Sequence, residues 1–377
     1  MTLLTLVALG SFGAIALIWF GYPALVWLTA RLFGRPLRPV HHPDSARTVS
    51  VVLATRDAAA AILARTANLY ETSHPPSRLE IIVALDAQGA KATAEELLAA
   101  DPRIRVVIGD EPGGKACALN AGVRAATGEI LVMADSQQRF DVRTIPELVA
   151  ALEDGRFGAV SGALTLGGTG ASPVQWYWSM EKWLRHNEAR LHSSVGVTGA
   201  VYATRRALWP AVPAGALLDD VYVPMALVLR GHRVGFTYAA RAWDVRAFDA
   251  QGEQARKTRT LTGVLQLRHL LPGLMSPARN PIWAQFVAHK LLRLATPALV
   301  AIGTCSVLIL TFVFLARSPG EVQLFALAFT AGALLIPRLR RGLLTAGQWA
   351  FAMQAATTHA TMNGIRQRWH VWTRSSL

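Results

Sequence analysis

Of 377 residues, 52% are hydrophobic and 16% charged, and 38 Lys and Arg against 24 Asp and Glu give a formal net charge of +14. Two distant cysteines exclude a disulfide framework or a cysteine-based metal cluster and point to a reducing compartment. The cationic surplus, nearly all Arg, suits membrane headgroups or nucleotide phosphates; with no zinc-finger spacing and no RRM-like aromatic motif, nucleic acid is set aside as a partner.

Residues 3–28 are almost uninterruptedly apolar and lack a basic leader. That length exceeds the ~7–15 residues of a signal-peptide core and meets the ~20 needed to span a bilayer. Residues 1–30 are therefore expected to form an N-terminal transmembrane helix. Arg31, Arg35 and Arg38 follow at once and place that end in the cytoplasm. Residues 31–47, with His41 and His42, read as a basic linker.

A soluble domain over residues 48–265 comes next. The apolar run 48–54 predicts a buried strand ending at Thr55, Arg56 and Asp57. An alanine-rich helical stretch runs to about Tyr70 and is broken by Pro75 and Pro76. Residues 80–85 predict a second strand ending at Asp86, residues 95–100 a helix, and 104–108 a third strand. This alternation argues a doubly wound parallel sheet. Gly113 and Gly114 then precede Lys115, where backbone N–H groups and an ammonium could meet an anion. Leu119, Val123 and Ala126 share a helical face, with Gly128 at the expected stop. Residues 130–134 form a fourth strand, and Asp135 arrives at its carboxyl end, where open α/β sheets bind ligands. Asp141 reads as the cap of a helix over 144–152.

Residues 158–164 predict a further strand and 176–191 a helix, with Trp176, Met180 and Trp183 as core or membrane-edge packing rather than sugar stacking. Asp219 and Asp220 stand at the start of a helix, where the dipole favours carboxylates. Residues 266–290 alternate apolar and basic positions and fit helices lying at a membrane interface. Residues 291–316 and 322–336 read as a transmembrane hairpin, and Arg338, Arg340 and Arg341 return the chain to the cytoplasm. Residues 343–362 are too polar for a lipid-facing span, so 337–377 is expected to be a basic, amphipathic, interfacial segment, anchored by Trp369 and Trp372.

The block GGKACALNAGVRAATGEILVMADSQQRF over residues 113–140 resembles the family 2 glycosyltransferases, with their GK-x-x-ALN-x-G helix, GE-hydrophobic strand and acidic DxD-like turn. The resemblance implies an α/β, GT-A type (Rossmann-like), mostly parallel sheet in a cytoplasmic domain of a multi-pass protein of the bacterial inner membrane, in the cellulose and hyaluronan synthase-like branch. It implies inverting transfer from a nucleoside-diphosphate sugar, with UDP the favoured nucleotide, to a hydroxyl of a glycan or lipid-linked acceptor. Thr55, Arg56, Asp57, Asp86, Lys115 and Asp135 would bind the donor, although Asp57-Ala58 replaces the usual Asn-Glu. Asp135 and Gln137 would hold Mg²⁺ or Mn²⁺. Gln137 keeps an oxygen ligand but no charge, which predicts weaker metal binding. Thr198, Gly199 and Ala200 match the acceptor loop. Asp219 and Asp220 match the acidic catalytic pair, with Asp220 the general base; paired acids raise one pKa toward neutrality.

Arg256 and Arg259 occupy the family's arginine box and would clamp the leaving diphosphate. Thr260 replaces the tryptophan of that box, which, with so few spans, argues against a monomer that polymerises and exports through itself. Export would then need a partner or a homo-oligomer. Two alternatives follow. One is single-sugar transfer to a polyprenyl-phosphate or other lipid acceptor. The other, suggested by Ala58 and Gln137, is a catalytically silent membrane partner that senses nucleotide sugars.

Overall fold

The computed structural model describes residues 1–40, 47–167, 173–244 and 250–369. His41, His42 and Trp372 lie outside them. The chain divides into two units, one of residues 25–247 and 266–286, the other of residues 1–24, 248–265 and 287–377.

The first unit is built on one eight-stranded sheet. Its strands are β1 (Val49–Thr55), β2 (Leu79–Leu85), β3 (Arg105–Ile108), β4 (Ile130–Ala134), β5 (Gln138–Phe140), β6 (Phe157–Leu166), β7 (Val201–Arg205) and β8 (Arg233–Asp244), in the order β3-β2-β1-β4-β7-β6-β8-β5. Helices α1 (Ala59–Tyr70), α2 (Ala94–Ala100), α3 (Lys115–Ala125), α4 (Thr144–Leu152), α5 (Pro173–Leu191) and α6 (Asp219–Leu229) connect them. Every residue of β1 and β4 is buried, which is why both read as unbroken apolar runs rather than alternating ones. Ile62 and Leu69 of α1 are fully buried. Such a side chain contributes about 1.5–3 kcal/mol over leaving it exposed.

The expectation of a mostly parallel sheet holds in part: β6 and β8 also pair in parallel, and antiparallel pairings enter at β7 and β5. β1, β2, β3 and β4 run parallel, but β7 pairs antiparallel with both β4 and β6, and β5 pairs antiparallel with β8. The sheet is mixed. β5 has three residues, too short to leave a pattern, and β7 runs against its neighbours although its composition is that of any buried strand.

Two local expectations also change. The helix α3 ends at Ala125, and Gly128 is not its stop. A Cβ on Gly128 would stand 2.6 Å from the backbone nitrogen of Ser50, so this position needs glycine for close approach to β1. Asp141 does not cap α4. Its Oδ1 accepts from the Arg143 N–H at 2.9 Å in the turn ahead of the helix, because Arg143 itself holds the cap position.

The segment 266–286 is tied to the sheet unit. Gln266 Oε1 accepts from the Leu217 N–H at 2.9 Å, and Gln285 Nε2 donates to the Ser193 carbonyl at 3.3 Å. Leu274, Ile282 and Phe286 are buried.

The second unit is helical. Thr2–Phe33 and Trp283–Arg317 are helices long and apolar enough to cross a membrane. Thr2–Ala16 packs along Thr296–Arg317 through small residues: Ala8, Ser11, Gly303 and Ser306 are buried, while Leu3 and Phe312 point outward. A Cβ on Gly303 would lie 3.1 Å from the Phe12 ring. Small residues inward and large apolar ones outward is the packing of helices in lipid. The helices Gly320–Leu335 and Pro337–Ile365 follow.

Candidate functional site

Parallel register delivers the strand-end residues to one edge. Thr55 pairs with Leu85 across β1 and β2, and Leu53 with Ala134 across β1 and β4. The next residues, Arg56 and Asp86, therefore leave the sheet side by side, and Asp135 leaves it at the same edge, level with Ala54. β7 runs the other way, with Val201 opposite Ala134. The loop Thr198-Gly199-Ala200 thus enters the sheet at the edge where Asp135 leaves it.

Each residue at this edge is fixed locally. The Asp57 N–H donates to Thr55 Oγ1 at 3.0 Å. Asp57 Oδ2 accepts from the Ser136 hydroxyl and from Gln137 Nε2, the latter at 2.9 Å, joining the ends of β1 and β4. Asp86 Oδ1 accepts from the Gly114 N–H at 2.7 Å and the Gln88 N–H at 3.1 Å. Gly113 has φ +84° and a Cβ there would stand 2.9 Å from Asp86 Oδ1, so the turn into α3 requires glycine twice over.

Lys115, the first residue of α3, is paired with two carboxylates. Its Nζ lies 3.0 Å from Asp135 Oδ1 and 3.4 Å from Asp219 Oδ2. Desolvation pulls the ammonium down, but the charges of Asp135, Asp219 and Asp220 outweigh it and hold the pKa above the usual lysine value. Asp219 opens α6 and is buried.

Asp220 is clasped by the loop before β7. The Val197 N–H donates to the Asp220 carbonyl at 2.8 Å, and a Cβ on Gly199 would stand 3.2 Å from the Asp220 Cβ. Thr198 is held in turn: its N–H donates to Ser161 Oγ at 2.9 Å and its Oγ1 accepts from Arg185 NH1 at 3.2 Å.

Three residues to which the sequence assigns no site role lie near this edge. Arg65 of α1 is fully buried. Its Nε donates to the Asp135 carbonyl at 3.0 Å, NH1 donates to Asn68 Oδ1, and Cζ lies 4.2 Å from the Phe140 ring centre. Burial and the nearby Arg139 push its guanidinium down to about 9, which still leaves it cationic at neutral pH. Arg185 and Tyr202 are the others. An arginine on an alanine-rich helix, or a tyrosine inside an apolar strand, carries no signal of its own in sequence.

Of the predicted residues, the structure brings together Lys115, Asp135 and Asp219, joins Asp57 to Gln137, and sets Gly199 against Asp220. Asp86 is committed to the Gly114 turn. Arg256 and Arg259 stand on the helix Ala250–Leu270, in the stretch that belongs to the helical unit. No cluster of three or more His, Cys, Asp or Glu suited to a metal occurs among the described residues. Asp135 and the Gln137 amide oxygen are hard donors that suit a divalent cation shared with a ligand's phosphates, not a closed protein cage.

Residues 50–208 match the glycosyl transferase family 2 sequence profile. Glycosyltransferase AglD of Haloferax volcanii is 33% identical over 137 residues, which are 34% of this chain and 22% of that protein. The chain thus spans about a fifth of its relative's length. The mannosyltransferase PcManGT of Pyrobaculum calidifontis, solved with GDP-Man and Mn²⁺, superposes with a TM-score of 0.67 at 22% identity, over 96% of this chain and 99% of that one. At that identity the likeness establishes a shared GT-A-like α/β fold. The profile match ends before Asp219, so the acidic pair is tied to the site by geometry alone.

Proposed function

From the premise that residues 50–208 are a glycosyltransferase family 2 domain, we propose that the chain transfers a sugar, with inversion, from a nucleoside-diphosphate sugar to an acceptor hydroxyl at the cytoplasmic face of a cell membrane. The observation that carries this reading is the single sheet edge where Lys115 meets Asp135 and Asp219, with Asp220 clasped against the Thr198-Gly199 loop.

In this reading Thr55, Arg56, Asp57 and Asp86 receive the nucleoside, and Lys115 the diphosphate. The carboxylate of Asp220 takes the proton of the acceptor hydroxyl, whose oxygen attacks the anomeric carbon from the side opposite the diphosphate. The carbon–oxygen bond to the diphosphate breaks with its electrons passing to the phosphate, and the configuration inverts. Lys115 meets the charge that develops on the leaving group. Asp135 and Gln137 would hold a Mg²⁺ or Mn²⁺ ion, which supplies Lewis-acid neutralisation of the diphosphate. The Thr198-Gly199-Ala200 loop faces the acceptor. PcManGT was solved with GDP-Man, so guanosine as well as uridine donors belong in the first substrate panel.

The two long apolar helices support a membrane-bound enzyme. The first helix packs along the second through small residues, Ala8, Ser11, Gly303 and Ser306, which bring the two close together. This favours addition of one or a few sugars to a lipid-linked acceptor such as a polyprenyl phosphate over polymerisation with export by one chain.

Asp220→Asn tests the assignment. Release of nucleoside diphosphate should fall by about 10²–10⁴, the usual contribution of a general base, while nucleotide binding persists. Turnover within about twofold of the parent, far outside that range, removes Asp220 as the base.

A further inference from the structure

Tyr202 is fully buried on β7, and among the described residues its hydroxyl has no hydrogen-bond partner. A buried polar group without a partner costs free energy, about 1–3 kcal/mol, and is rarely left so without a reason. Its position follows from register. Tyr202 pairs with Met133 of β4, Met133 with Val52 of β1, and Val52 with Ile82 of β2. Residues paired across strands share a sheet face. A Cβ on Gly122 of α3 would lie 2.6 Å from Val52 Cγ1 and 3.9 Å from Ile82 Cγ2, so that face is the one α3 covers. Lys115 heads the same helix.

The Asp219 carboxylate is the complementary case. It is buried, and among the described residues its partner is Lys115, at the long distance of 3.4 Å. Burial first, then the charges of Asp219, Asp220 and Asp135, push the Tyr202 phenol well above its usual value, so it is an O–H donor at any working pH. Asp219 bears on it most strongly of the three carboxylates.

On the reading that Lys115 binds the donor diphosphate, we propose that the Tyr202 hydroxyl is a positioning group that takes over the Asp219 carboxylate when the diphosphate draws Lys115 away. In the empty site Lys115 serves two carboxylates and Tyr202 is idle. Once the ammonium turns to the phosphate, Asp219 would be a buried charge that has lost its ion-pair partner, a costly state. The tyrosine O–H then supplies the missing hydrogen bond, and Asp220, next along α6, keeps its place.

The two states give Tyr202→Phe an unusual signature. In the ligand-free chain the variant loses a hydroxyl that had no partner, so its thermal midpoint should equal or exceed the parent's. Nucleotide affinity should fall about ten- to a hundredfold, the range lost with one hydrogen bond to a charged group. The full-length chain in detergent is titrated calorimetrically with GDP and with UDP at one fixed Mn²⁺ concentration, and melted without nucleotide. A dissociation constant within about twofold of the parent, well short of the loss one such bond predicts, overturns the proposal. A lowered ligand-free midpoint with unchanged affinity does the same, because it marks a tyrosine that only packs. If neither nucleotide binds the parent, the donor reading fails and this inference falls with it.

Discussion

A Cβ placed on Gly199 would stand 3.2 Å from the Asp220 Cβ and 3.7 Å from its Oδ2, so the loop entering β7 rests against the carboxylate it positions. Gly199→Ala should push Asp220 aside by a few tenths of an ångström. Because misplacement of a reacting group by about 1 Å can cost on the order of 10²-fold, turnover is expected to fall at least severalfold with the donor KM little changed. Steady-state kinetics beside a thermal melt check this. Unaltered turnover in a stable variant would mean that the loop does not set the carboxylate.

Arg65→Met removes the guanidinium that holds the Asp135 carbonyl and Asn68. A hydrogen bond from a charged group contributes about 1.5–3 kcal/mol, so the melting midpoint should drop by several degrees. Donor KM should rise as the Asp135 turn loosens. Arg65→Lys, which keeps the charge and one donor, should recover part of both, and a lysine no better than methionine would argue against the bond.

Gln137→Asp has two expected effects. Gln137 now donates to Asp57 at 2.9 Å, and a carboxylate in its place would face another carboxylate. Without divalent ions the variant should melt lower than the parent. Mn²⁺ should restore it, by binding the folded state, and half-maximal activity should need less metal. A melt indifferent to Mn²⁺ would remove this turn from metal binding.

Arg259→Ala tests the arginine box separately from lipid attraction. Loss of one electrostatic stabiliser of a leaving group costs on the order of 10²–10³ in turnover. Nucleoside diphosphate release is the readout, with flotation on anionic vesicles as the parallel measurement. Full turnover with weakened flotation would assign Arg259 to headgroups.

The strand-end acids were legible because a parallel sheet obeys a local rule. A buried apolar run followed by Asp puts that Asp at the carboxyl edge, and Asp57, Asp86 and Asp135 each followed it. The partners of those acids were not legible. That Lys115 answers both Asp135 and Asp219 joins three separate stretches of the chain, a meeting that no one of them announces. The same holds for Gly128, whose place after a helical run resembles a stop signal while its constraint comes from Ser50, far away in sequence. Gln137 was read for its oxygen; the structure shows its nitrogen also occupied, by an Asp57 that sequence treats as a separate feature.

The β4–β7 pairing works as a gauge block. Ala134 opposite Val201 sets the turn after one strand and the loop before the other about one ladder spacing apart, roughly 4.8 Å, and hydrogen bonds hold that interval whatever the loops contain. A slip of one residue would turn Tyr202 to the opposite face of the sheet. On the proposed assignment of these loops, donor and acceptor preferences can therefore drift through changes at the loop tips, while the interval between them is kept by the strands. Lineages that trade one sugar or acceptor for another should vary at 136–137 and 198–200 and hold 130–134 and 201–205 to buried apolar residues of constant length.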